Sequence, residues 1–197
     1  MKKIISLLLA AVLTGTLFAG CTRNKTDNND NNSNNGNNTA TAKSALEVLQ
    51  TVWDKFNENE KFPVYGGSGD DMVDGNPGQC SIRDTDGLCN NLLVPEEQLA
   101  SIDQAASIVN GMMVNNFTCG AYRLKDGADE TAFARGLRDA FKNNQWLCGT
   151  PEQLLVAVID GRYVLAAFGL NDVLALLQTK LQDAYPNAQV KYFESIA

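Results

Sequence analysis

Hydrophobic positions divide this chain into three regimes. Residues Ile4 to Phe18 form a largely apolar run, residues 22 to 42 are almost without apolar side chains, and from Lys43 onward apolar residues recur with the periods of regular structure. Lys2 and Lys3 precede the first run, which is too short to span a bilayer, so residues 1–20 read as an export signal. Thr22 to Ala42 holds nine asparagines in 21 residues and cannot bury enough surface to offset its chain entropy. It is expected to be a disordered tether of about 25 Å mean span.

The third regime, residues 43–197, predicts one folded α+β domain of a size that buries about 68–70% of its chain surface. A helix is expected over Ser44 to Lys61: Ser44-Ala45-Leu46-Glu47 has capping-box spacing, and Leu46, Leu49, Trp53 and Phe56 recur on one face. Residues 66–94, with Gly66-Gly67-Ser68-Gly69 and several aspartates, read as a long loop. A second helix is expected from Pro95, with Glu96 and Glu97 at its positive end. Its inner stripe is Leu99, Ile102, Ala106 and Val109, and Asn110-Gly111 stops it.

The remaining pattern is more regular. Val114–Leu124 predicts a strand and Asp129–Trp146 a helix with Phe133, Leu137 and Phe141 at fourfold spacing. Leu154–Ile159 is a continuous apolar strand, Asp160-Gly161 a two-residue hairpin turn, and Tyr163–Phe168 the returning strand. Asn171 is expected to cap a helix to about Tyr185, and Gln189–Glu194 supplies a last strand. The order βαββαβ predicts a ferredoxin-like antiparallel sheet with both helices on one face, preceded by two extra N-terminal helices. Were the other face open, Phe117, Tyr122, Tyr163 and Tyr192 would make a docking surface. Met112, Met113, Trp146 and Phe168 are read as core.

Charge narrows the partners. The formal net charge is −7, and without Lys2 and Lys3 it is −9. Such a chain is repelled by nucleic acid and by anionic lipid, so no nucleic-acid partner is expected and charge does not hold it to a membrane. The small residue Gly20 before Cys21 supplies another anchor. Leu17-Phe18-Ala19-Gly20-Cys21 resembles the lipobox of bacterial lipoproteins, in which the cysteine is acylated, with chains such as palmitate, and becomes the first residue of the mature protein. The resemblance implies a lipid anchor on Cys21 and a head on the extracytoplasmic side of the cell membrane. Two or more acyl chains, at about 0.8 kcal/mol per buried CH₂, would anchor it stably.

Four cysteines follow, Cys80, Cys89, Cys119 and Cys148, and an even number in an exported protein suggests disulfides in one of three pairings. The expected topology favours Cys80–Cys89 with Cys119–Cys148, worth about 2.7 and 3.6 kcal/mol on the loop-entropy model. Structural zinc is disfavoured, because the chain has no histidine and no Cys-x-x-Cys.

Candidate chemistry is sparse. Without histidine there is no Ser-His-Asp or Cys-His system, and Ser-x-x-Lys does not occur. The glycine run at 66–69 lacks the Gly-Lys-Ser/Thr of a phosphate loop and reads as a flexible turn. Asp70, Asp71, Asp74, Asp84 and Asp86 crowd one loop, and Asp84-Thr85-Asp86-Gly87 resembles a fragment of a calcium loop without its distal Glu. Asp84 and Asp86 are therefore weak calcium candidates, and a hydrolase using loop aspartates is a further alternative. No cofactor is expected.

One wider resemblance rests on Pro95-Glu96-Glu97-Gln98-Leu99, the Met112-Met113 pair, Tyr122-Arg123-Leu124-Lys125-Asp126 and Asp160-Gly161-Arg162-Tyr163-Val164-Leu165. Over residues 95–185 the chain resembles an uncharacterised domain family of small lipoproteins, mainly of Gram-positive bacteria. The resemblance implies a membrane-tethered extracytoplasmic α+β domain with no assigned activity. The expected function is a non-enzymatic binding or accessory module of the cell envelope that engages an envelope protein or a wall component.

Overall fold

Gln153–Ile159 and Tyr163–Gly169 are buried at every position, and their nearly unbroken apolar composition offers neither strand a polar face. Asp160 and Gly161 between them both take positive φ, 52° and 63°. They form the predicted type I′ turn, whose twist matches that of the flanking strands. The register runs from Ile159↔Tyr163 to Gln153↔Gly169. This hairpin lies at the heart of the sheet in the computed structural model, which describes residues 41–112, 117–147 and 149–196. The chain divides into two units, Met1–Gly36 and Asn37–Ala197, and every described residue belongs to the second. The expected signal, Cys21 and almost all of the tether lie outside the described residues.

In chain order the elements are α1 (Ala45–Trp53), β1 (Val64–Gly66), β2 (Val73–Asp74), β3 (Gly78–Cys80), α2 (Thr85–Asn91), β4 (Ile102–Asn110) and β5 (Thr118–Leu124). They continue with α3 (Glu130–Asn143), β6 (Gln153–Ile159), β7 (Tyr163–Gly169), α4 (Asn171–Ala184) and β8 (Gln189–Ser195). All eight described strands join one antiparallel sheet, seven of them in the order β2-β1-β4-β5-β7-β6-β8. The short β3 continues the line of β1 along the outer edge of β4, with Gly78↔Ser107 following Tyr65↔Val109.

This is a mixed α and β fold, but not the ferredoxin-like one. That topology would place β8 beside β5. Here β4 already occupies that edge of β5, from Ile102↔Leu124 to Val109↔Thr118, and β8 adds to β6 instead. The displacement has a geometric consequence. β5 and β7 point in opposite directions, yet both crossovers now step the same way across the sheet. If both are right-handed, as such connections almost always are, their helices must lie on opposite faces. They do. Leu174, Leu177 and Leu181 of α4 share one core with Val48, Leu49 and Val52 of α1 and with Leu155, Ala157 and Leu165 of the sheet. Phe133, Leu137 and Phe141 of α3 pack on the other side against Leu154, Val156, Val164 and Leu88 of α2. Both faces of the central strands are covered, so the open-face aromatic surface does not exist. Phe117, Tyr122 and Tyr163 are buried, and Tyr192 lies half-buried under the Arg138 guanidinium, 5.5 Å from its ring centroid.

The expected second helix is the main local correction. Glu96–Ser101 makes only a 3₁₀ turn, and Ile102 onward is strand β4. Leu99, Ile102, Ala106 and Val109 do carry helical spacing, but Ala105, Ala106 and Ser107 are small enough to lie between layers. Ala105 faces the α3 side while Ala106 and Ile108 face α1. Pairing on both edges of β4 outweighs the helical propensity of the alanines.

Helix α1 begins as expected, with Ser44 Oγ accepting from Glu47 N–H at 3.0 Å, but ends at Trp53 rather than near Lys61. The 54–63 segment that follows is tied to α4 by Lys180 Nζ and the Glu60 carboxylate at 2.7 Å. Residues 66–94 are not one loop, since they contain β2, β3 and α2. Asn171 does not cap α4; the preceding Leu170 holds the N-cap position, and Glu152 Oε2 accepts the Asn171 N–H at 3.0 Å from across the chain.

Candidate functional site

Ser107 interrupts the apolar middle of β4, and its hydroxyl organises one corner of the molecule. It accepts the Gly67 N–H at 3.0 Å and the Cys80 thiol proton at 3.2 Å. Only glycine fits where the end of β1 meets the start of β3 along the edge of β4: a Cβ on Gly66 would overlap the Gly78 nitrogen and the Ser107 carbonyl oxygen. At Gly67 the backbone turns away with φ +88°. The glycine run read as a flexible turn is therefore a close backbone crossing held by a buried hydroxyl.

That corner forms one wall of a cavity of about 960 Å³. Helix α2, with Asn90 and Asn91, forms a second wall, and Asn144 to Leu147, which follow α3, form a third. Ser107 and Val109 of β4 and Thr118 of β5 also line it, on the α3 side of the sheet, and Tyr65 and Met72 stand at its edge. Trp146 packs edge-on against Phe168, with centroids 4.9 Å apart, and its buried indole N–H has no acceptor among the described residues. None of the described lining residues is a lysine or arginine, and Asp84 is the one carboxylate among them.

Asp84 is already engaged, because it caps α2 by accepting the Gly87 N–H at 2.9 Å. Asp84-Thr85-Asp86-Gly87 is a helix start rather than an ion loop. Asp70, Asp71, Asp74 and Asp86 are exposed, and among the described residues no three His, Cys, Asp or Glu side chains converge on a point.

The cysteines are free thiols at three described positions, Cys80, Cys89 and Cys119. The expected Cys80–Cys89 bridge is not formed, because the Cys80 sulfur is turned into the sheet toward Ser107 while Cys89 rides on α2. Cys148 lies outside the described residues. Cys119 reaches the end of the sheet to which α3 returns, as anticipated, but its side chain belongs to the α1–α4 core on the other face. Strand alternation decides that face.

Burial pushes the Cys80 thiol above its ordinary range, partly opposed by its bond to Ser107. Burial also raises Cys119 strongly and Cys89 to a lesser degree, the latter helped by the carboxylates of Glu96, Asp86 and Glu97. Burial favours the protonated Cys80 thiol, and among the described residues no basic side chain hydrogen-bonds to the Ser107 hydroxyl. What the cavity offers is hydrogen bonding and aromatic surface. Of the candidate residues named from the sequence, Cys80 and Asp84 line this space; Gly67 to Gly69, expected as a flexible turn, and Trp146, expected in the core, line it as well. The sequence had not flagged Tyr65, Asn90, Asn91, Ser107, Thr118, Asn144 or Gln145; a serine inside an apolar strand was the one available signal.

Met112 is exposed rather than core, and Met113 lies outside the described residues. No helix among the described residues is long and apolar enough to cross a membrane. No family model matches the chain, and comparisons with curated proteins and with solved structures likewise find no match.

Proposed function

We propose that this chain is a lipid-anchored binding module of the cell envelope, held by Cys21 and presenting the cavity beside α2 to its ligand. The address rests on the lysine pair, the short apolar run and the Leu-Phe-Ala-Gly-Cys sequence. The binding role rests on one observation. A space of about 960 Å³, near the upper end of the roughly 300–1,000 Å³ typical of ligand pockets, is walled by apolar and aromatic side chains with a set of amides and hydroxyls among them. The resemblance to small envelope lipoproteins agrees with this role and contributes no chemistry to it.

The test is capture from detergent-solubilised envelopes with the full chain, compared with the tether alone and with Asn91→Trp, which places an indole in the cavity. An envelope protein or wall polymer should be enriched by the native chain and lost with the variant. Equal enrichment by all three baits, or none by any, overturns the reading. Fatty-acyl mass on the Cys21 peptide tests the anchor separately, and an uncut, unacylated N-terminus would refute it.

A further inference from the structure

The lining of the cavity also defines what it can hold. We infer that it is a saccharide site, built for an uncharged oligosaccharide, an inference that rests on the binding role proposed above. Two pairs of carboxamides face the same space from separate elements, Asn90 and Asn91 at the end of α2 and Asn144 and Gln145 after α3. Asn90, Asn91 and Gln145 are exposed and Asn144 is half-buried, so their amides, each with two donors and an acceptor, are open to a ligand. Ser68, Ser81 and Thr118 add hydroxyls around them.

Charge argues against ionic ligands. An anion would meet no lysine or arginine on the described lining and would approach a chain of strongly negative net charge. A cation would find only Asp84, whose carboxylate is spent on the α2 cap. Neutral ligands remain, and hydroxyl recognition is what accessible amides supply. Tyr65, more than one-third exposed, and Trp146 provide the aromatic surfaces against which the C–H faces of sugar rings pack. A volume of about 960 Å³ suits several linked rings better than a single one.

The experiment titrates the full chain in detergent with cellotriose, maltotriose and N-acetylchitotriose, read by calorimetry and tryptophan fluorescence. Trp53 is buried in the opposite core, so a ligand-dependent spectral change reports Trp146. Saturable binding of at least one of these sugars is expected, with affinity falling about tenfold or more in Asn144→Ala/Gln145→Ala. Those residues are half-buried and exposed, respectively, and unchanged thermal unfolding of the variant confirms that it folds. Trigalacturonate should not bind. The saccharide assignment is overturned by no response to any neutral trisaccharide, by binding that the double variant leaves intact, or by tighter binding of trialanine or trigalacturonate. If these sugars fail while Asn91→Trp still abolishes envelope capture, the ligand class is wrong and the binding role stands. If both fail, the role falls too.

Discussion

Leu154 and Leu155 are consecutive residues of β6, both fully buried, and they point to opposite faces of the sheet. The three-layer arrangement requires both to be core. In each, replacement by alanine removes about three carbons, or about 2.4 kcal/mol of transfer free energy at about 0.8 per CH₂. A residual void of about 50 Å³ adds about 1.2 kcal/mol at about 24 cal/mol per Å³, for a total near 3.6, inside the usual range of about 2–5. Leu154→Ala and Leu155→Ala should therefore destabilise to a similar extent. Together they would remove about 7 kcal/mol, comparable with the entire stability of many domains, roughly 5–15 kcal/mol. Urea unfolding is the assay. With a slope of about 1–3 kcal/mol per molar, each single change should lower the midpoint by more than about 1 M. Trp53 and Trp146 report separately on the α1–α4 and α3 layers. If the sheet had one open face, one of the two substitutions would cost less than about 0.5 kcal/mol, as exposed positions do. That result would refute the assignment of helices to both faces.

Gly66→Ala should destabilise by about 1–3 kcal/mol through overlap with the Gly78 and Ser107 backbone. Thermal melting measures it, and an unchanged Tm would contradict the close crossing of β1 and β3. Hydrogen bonding to Lys180, followed by that to the Asn57 backbone, holds the Glu60 carboxyl below its usual value of 4.5. A depressed carboxyl contributes stability above its unfolded pKa and loses it as pH falls through the folded one. The difference in Tm between the native chain and Glu60→Gln should accordingly be present at neutral pH and shrink below about pH 4.5; a difference independent of pH across that window would refute the pairing. Cys80 and Cys119, buried and raised in pKa, should resist a charged alkylating reagent in the folded protein, while half-buried Cys89 reacts first. Peptide mapping without reduction checks this, and a linked Cys80–Cys89 peptide would contradict the free-thiol arrangement.

Local rules made much of this protein legible. The Asp160-Gly161 turn, the strands on either side of it, the helix begun by Asp129 and the capped start of α1 follow from short-range pattern, because each rests on contacts within a few residues. One global feature was legible too. The continuous apolar runs of β6 and β7, without alternation, are the mark of strands covered on both sides. Pairing partners were another matter. Residues 102–110 satisfy a helical period, and only the vacant edge of β5 makes them a strand. Once that edge is filled, β8 must pair with β6, α4 must cross to the opposite face, and Cys119 is separated by the sheet from the α3 layer. The cavity belongs to the same category: its walls come from β1–β3, α2, β4–β5 and the segment after α3, which are far apart in sequence. Amide side chains gain meaning as a site only when long-range packing brings them together, and no local pattern encodes that meeting.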